Sequence, residues 1–174
     1  MAAESRARVG AHAVVVGGSI AGLAATAALA RHFDRVTLVE RDEYPDGPSS
    51  RKGTPQARHV HVLLKQGEAA IESIYPGLFD EIEAAGGQRV DTAGDARWHY
   101  HGGWKARFES GIEMVSQSRG LLEWTLRRRV FALANTALVN GDVLGLHSQD
   151  GKRVSGCRGW QSSAVQSRGA SVRL

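Results

Sequence analysis

A run of mostly β-branched residues, Ala13-Val14-Val15-Val16, stops at Gly17-Gly18-Ser19, and an Ala-rich stretch from Ile20 to His32 follows. A short apolar run bounded by glycine suits a strand buried on both faces. The Ala-rich stretch favours helix. Val36-Thr37-Leu38-Val39-Glu40 then reads as a second strand. Strand, glycine turn, helix and strand in that order is half of a doubly wound α/β unit, and it points to a parallel sheet.

The spacing within the turn is also chemical. In a dinucleotide-binding βαβ unit the first glycine makes the tight turn and the second lets the backbone approach a pyrophosphate. The third lets helix and strand pack closely, and an acid at the end of the second strand binds a ribose hydroxyl. Gly17 and Gly22 hold the first and third positions and Ser19 the second, with Glu40 18 residues after Gly22. Ser19 departs from the strict pattern, but its side chain is small and its hydroxyl can donate to a phosphate oxygen. The competing reading is an ordinary strand-to-helix turn. An acid at Glu40 argues for a free ribose hydroxyl, hence FAD or NAD and not NADP, an inference softened by Arg41. The motif by itself does not separate FAD from NAD.

Further along, residues 41–58 are polar, carry three prolines and read as a long loop, a length that in a compact domain marks function or disorder. A helix is expected from Leu63 to Ile74 and another from Pro76, ended by Gly86-Gly87. Two or three short antiparallel strands are expected between Gln88 and Val115. A helix should run from about Arg119 to Ala134, with Ser118 as its cap. Ala137-Leu138-Val139 and Asp142 to Leu146 read as two strands, and Asp150-Gly151 as a hairpin turn leading to Val154.

Charge and cysteine exclude several classes. The chain has 22 basic and 18 acidic residues, but its last 24 residues hold five basic ones and no acid, so residues 1–150 carry 17 against 18. The pI of 9.6 therefore describes the tail. Aromatics do not interleave with the basic residues as stacking platforms would, so nucleic acid is not expected as a partner. One cysteine cannot make an internal disulfide, and Cys157 has no base assigned to it. No apolar run reaches the roughly 18 residues of a membrane span, and no apolar signal segment opens the chain, so a cytoplasmic protein is expected. His59/His61 and His99/His101 have the alternating spacing of paired metal ligands, but no carboxylate or cysteine stands at ligand spacing beside them, so no metal is expected. Trp98, Trp104 and Phe108 are expected to pack on a sheet face or in a core, with a substrate pocket as the alternative.

Three segments together resemble one family. They are Arg31-His32-Phe33-Asp34-Arg35-Val36-Thr37-Leu38-Val39-Glu40-Arg41-Asp42, the stretch from Arg51 to Leu64 (Arg51-Lys52-Gly53-Thr54-Pro55-Gln56-Ala57-Arg58-His59 and onward), and Ser118-Arg119-Gly120-Leu121-Leu122-Glu123-Trp124. In this order they are similar to bacterial FAD-dependent monooxygenases and epoxidase-like oxidoreductases, relatives of the aromatic-ring hydroxylases. The resemblance covers roughly residues 12–156. It implies a Rossmann-like FAD-binding βαβ unit with a parallel sheet and a small inserted antiparallel sheet. It implies that Gly17, Ser19 and Gly22 line the FAD pyrophosphate and that Glu40 binds the adenosine ribose, flanked by Arg41. Arg51 would approach the phosphates, Arg119 the cofactor near the flavin, and Val143 the adenine through its backbone. Gln56 and His59 would lie toward the flavin. FAD would then carry the chemistry, with NAD(P)H as electron donor and O₂ as the source of an oxygen atom passed to a small organic substrate. No catalytic side chain is assigned, and the oligomeric state is open.

The family's later flavin-binding segments have no counterpart here, and the resemblance breaks near Gly156. The expected organisation is a lead-in at residues 1–11, a partial FAD-binding domain at 12–156 and an atypical basic tail at 157–174, out of frame or disordered. On this reading the chain is the truncated N-terminal part of an enzyme, binding FAD weakly or not at all and not turning over. The remaining alternatives are an NAD-binding dehydrogenase domain and a non-catalytic remnant or interaction module.

Overall fold

A computed structural model of the protein describes residues 8–60, 62–148, 150–152, 154–161 and 170–173. The chain divides into two units. The first comprises residues 1–46, 51–54 and 126–174, and the second residues 47–50 and 55–125.

The first unit opens as the sequence predicts, with β1 (Gly10–Val16), α1 (Ile20–Ala30) and β2 (Phe33–Glu40). β1 and β2 pair in parallel, from Gly10↔Phe33 to Val16↔Val39. Five consecutive residues of β2, Val36 to Glu40, are buried, as a strand covered on both faces requires. α1 buries Leu23, Thr26 and Ala27, which recur at helical spacing. It stops two residues before the expected His32. The Asn135 side-chain amide donates to the carbonyls of Ala30 (2.9 Å), at the helix end, and of Phe33 (3.0 Å), at the start of β2, and so joins the two.

The rest of the sheet differs from expectation. Thr136 to Ser148 forms one strand of 13 residues where two short ones are predicted. Four further strands, in the second unit, lie between it and β2 along the chain, so it is β7. β7 pairs in parallel with β2 up to Asn140 and antiparallel with β8 (Val154–Gln161) from Gly141 onward. Asn140-Gly141 resembles a turn because it marks a change of neighbour. The strand itself continues, with a register irregularity between Val143 and Gly145. β8 crosses residue 156, where the sequence pattern is expected to stop, and Cys157 within it is buried. β9 (Ala170–Arg173) completes the order β1-β2-β7-β8-β9. Residues 1–7 of the lead-in and 162–169 of the tail lie outside the described residues, as does His61 of the first histidine pair.

The second unit holds α2 (Lys65–Ile74), α3 (Leu78–Ala84), β3 (Gln88–Asp91) paired with β6 (Glu113–Ser116), and β4 (His99–Tyr100) paired with β5 (Gly103–Trp104). The long loop contains a short 3-10 turn at Pro55–Arg58. α3 begins two residues later than Pro76, after Gly77 in the left-handed region. α4 (Arg119–Phe131) spans the division between the units, and Ser118 Oγ accepts the Leu121 N–H (3.1 Å) as the expected cap. The core of the unit is Ile71, Tyr75, Leu78, Phe79, Ile82, Val115 and Leu122. Trp98, Trp104 and Phe108 are not in it. They are 54%, 69% and 64% exposed, which corrects the packing expected for them. The β4–β5 turn places His101 and Gly102 at positive φ, as a two-residue hairpin requires.

Two carboxylates organise this unit. Glu68 is buried in α2, and its Oε1 accepts the Val115 N–H of β6 at 2.6 Å. Asp91, at the end of β3, accepts the N–H groups of Ala93, Gly94, Ser110 and Gly111 and the Ser110 hydroxyl. The Gly94 N–H is the largest of the causes that hold its pKa well below the ordinary carboxylate value.

Substituting Glu68→Ala strands a buried N–H, and chemical denaturation should show a loss of about 1–3 kcal/mol, with Glu68→Gln closer to wild type. Because the Asp91 pKa is lowered on folding, its stabilisation is present above the ordinary carboxylate pKa and fades as pH falls below it. Thermal melts should therefore show Asp91→Asn less stable than wild type at neutral pH, with the gap narrowing below about pH 4.

Candidate functional site

β2 ends on a buried charge. Glu40 is 5% exposed. Its Oε2 accepts the Gly18 N–H at 2.6 Å, and its Oε1 accepts the Asp42 N–H at 2.9 Å. Arg51 Nη2 lies 3.3 Å from Oε2, and Arg51 Nη1 donates to Asp42 Oδ2 at 2.7 Å. Asp42 Oδ2 also accepts the Gly53 N–H at 2.5 Å, and the Asp42 carbonyl accepts from Asn140 Nδ2 at 2.9 Å. One guanidinium thus bridges two carboxylates, and the cluster ties the glycine turn, the loop after β2 and β7 together. Burying such charges is tolerable only because every one is paired and hydrogen-bonded.

A cavity of about 370 Å³ opens beside this cluster. Its wall is the turn (Val16 to Ser19), the end of β2 (Val39, Glu40, Arg41), Arg51 and Gly53 of the loop, and Gly141, Asp142 and Val143 of β7. The volume lies within the roughly 300–1,000 Å³ usual for small-molecule sites. Six of the residues singled out in the sequence meet here: Gly17, Ser19, Glu40, Arg41, Arg51 and Val143.

Gly22 does not line the cavity. A Cβ there would lie 1.7 Å from the Gly17 carbonyl oxygen, so its bare backbone is what lets α1 sit against the turn. Gln56 belongs to the 3-10 turn of the second unit and His59 follows it directly, its N–H donating to the Gln56 carbonyl (3.0 Å). Arg119 opens α4 in the same unit, with Nε 3.5 Å from Glu123 Oε2 of its own helix. None of these three is among the residues lining the cavity.

Gly18, Asp42, Gly53 and Asp142 were not singled out. The signal for Asp42 was present, since an acid two residues after Glu40 and nine before Arg51 can bridge them. That it does so is a tertiary fact.

The arrangement suits the adenosine diphosphate end of a dinucleotide. Gly17 has φ +91° and nothing within 4 Å of where a Cβ would stand, an open cradle at the turn. α1 starts with no side-chain cap and no acid in its first turn, so its N-terminal amides face no competing anion of their own. Glu40 keeps acceptor capacity for about one more donor after three protein contacts. Among the described residues no group of three or more His, Cys, Asp or Glu comes together as metal ligands do, and no helix is long and apolar enough to cross a membrane.

Replacing Gly22 by alanine forces helix and turn apart. Denaturation should show a loss of about 3 kcal/mol, and Gly17→Ala, strained only by its φ, about 1–3 kcal/mol.

Known proteins are similar to this chain. Protein Rv3254 of Mycobacterium tuberculosis (strain ATCC 25618 / H37Rv) is 41% identical over 134 residues, covering 74% of this chain. This chain spans 28% of that relative's length. Among solved structures, p-nitrophenol 4-monooxygenase PnpA from Pseudomonas putida DLL-E4 superposes with a TM-score of 0.64 at 19% identity, over 97% of this chain and 40% of its own. The myxobacterial chondrochloren halogenase CndH, a variant of FAD-dependent halogenases, superposes with a TM-score of 0.62 at 20% identity, over 94% and 35%. At those identities the likeness concerns the fold. The sequence profile described as FAD dependent oxidoreductase matches residues 13–167, and by that match the chain belongs to the FAD-dependent oxidoreductase family.

Proposed function

We propose that the cavity beside Glu40 receives the adenosine diphosphate end of FAD, in a monooxygenase that uses NAD(P)H and O₂ to oxygenate a small organic substrate in the cytoplasm. The observation that carries this reading is the convergence of Gly17, Ser19, Glu40, Arg41, Arg51 and Val143 on one cavity, from segments far apart in sequence. When bound, FAD would supply the redox chemistry.

The chain's own residues bind and orient. The turn at Gly17 to Ser19 and the first amides of α1 would receive the pyrophosphate, where backbone N–H groups and the helix dipole both favour an anion. Arg51 would add positive charge from the side, held in place by Glu40 and Asp42. Glu40 would accept one ribose hydroxyl. Val143 and Asp142, carried on β7, would border the adenine. This cavity accounts for one end of the cofactor only, so the chain by itself binds FAD weakly and does not turn over substrate.

Titration of the purified chain with FAD, ADP, FMN and NAD tests the reading. FAD and ADP should compete for one site, and FMN, which lacks the adenosine end, should not displace either. Glu40→Gln should weaken both ligands about tenfold, the scale of one charged hydrogen-bond partner. Tight FMN binding, or no competition between FAD and ADP, would sink the proposal, and equal affinity for NAD would favour a dehydrogenase domain.

A further inference from the structure

Tyr44 lies four residues after Glu40, in a loop that no motif explains. Its Oη donates to the Gly18 carbonyl at 2.7 Å. A Cβ on Gly18 would lie 1.8 Å from that Oη, so the phenol occupies the space that a side chain at Gly18 would need. The Tyr44 ring is itself held. Arg51 Cζ is 5.2 Å and Arg127 Cζ 4.6 Å from its centroid, and Phe131 approaches at 6.0 Å, tilted by 58°. Arg127 in turn donates to the Pro45 carbonyl at 2.9 Å, fixing the loop from the other side.

Two side chains therefore grip the two peptide groups that flank Gly18. Glu40 takes its N–H, and Tyr44 takes its carbonyl oxygen. In a planar trans peptide the carbonyl and the following N–H point in opposite directions. Holding the Gly18 oxygen toward Tyr44 aims the Ser19 N–H away from Tyr44. Ser19 lines the cavity and Tyr44 does not. The same phenol also carries one of the faces against which Arg51 rests, by a cation–π contact.

Building on the function proposed above, we infer that Tyr44 is a positioning residue for pyrophosphate recognition. It sets the Gly18–Ser19 peptide and seats Arg51 without touching the ligand. Tyr44→Phe keeps the ring between the guanidiniums and removes only the hydroxyl, while Tyr44→Leu removes both.

The experiment compares wild type and both variants by amide hydrogen exchange without ligand and by titration with FAD and with ADP. Tyr44→Phe should speed exchange at Gly17 and Gly18, whose N–H groups donate to the Val39 carbonyl and to Glu40, about fivefold and weaken FAD and ADP about fivefold, the worth of one neutral hydrogen bond. Exchange in Val36 to Val39, in the middle of the sheet, should stay at the wild-type rate, which separates a local change in the turn from loss of fold. Tyr44→Leu should weaken both ligands further because Arg51 loses its support.

Wild-type exchange and wild-type affinity in Tyr44→Phe would overturn the inference, as would an equal acceleration of exchange in Val36 to Val39. If wild type binds neither FAD nor ADP, the proposed function fails. The exchange rates then decide separately whether Tyr44 holds the turn.

Discussion

The Glu40 carboxylate is the point on which the first unit depends. A charged group at the buried end of a strand costs several kcal/mol unless it is fully paired. Here the Gly18 N–H, the Asp42 N–H and Arg51 do the pairing, and each belongs to a different stretch of chain. Satisfying one carboxylate thus draws the glycine turn and the following loop into place. Asp42 extends the arrangement to Gly53 and, through its carbonyl, to Asn140 on β7. The cavity walls are the segments that this network has brought together.

Much of this was legible from local signals. The β-branched run, the glycines and the Ala-rich stretch each act over a few residues, and β1, α1 and β2 form as they predict. Glu40 was legible because its spacing from the turn is set by the length of one helix. Where the relevant physics is tertiary, local reading fell short. Asn140-Gly141 has turn composition, yet β7 runs through it because β2 and β8 supply hydrogen bonds on its two sides. Gly22 serves the close packing that the third motif position calls for, but that it lies off the cavity wall is seen only in three dimensions. Trp98, Trp104 and Phe108 have core composition and lie exposed, since composition does not say whether a short hairpin and the segments beside it are covered. Tyr44 had no signal at all, because a loop tyrosine four residues from an acid is ordinary until its hydroxyl is seen on Gly18.

The second unit follows the same physical rule with different residues. Asp91 gathers donors from both ends of the excursion between β3 and β6, and Glu68 joins α2 to β6. In both units an acidic side chain at an element end replaces the backbone pairing that regular structure would otherwise supply. Small sheets of two strands have few ladder bonds to spend on holding long loops, so these carboxylates carry much of the local order.

The parallel pairing of β2 with β7 joins residues 100 positions apart all along its register, from Val36↔Thr136 to Glu40↔Asn140. Closing a flexible loop of that length costs about 4 kcal/mol in chain entropy, and non-local pairings of this kind are slow to form. The wall that carries Asp142 and Val143 therefore depends on one of the slow contacts of the unit. On a ribosome, the glycine turn and Glu40 would emerge roughly a hundred residues ahead of their partner strand. Until β7 docks, the acid end of β2 has its turn but no opposite bank, and the cavity has only half of its wall.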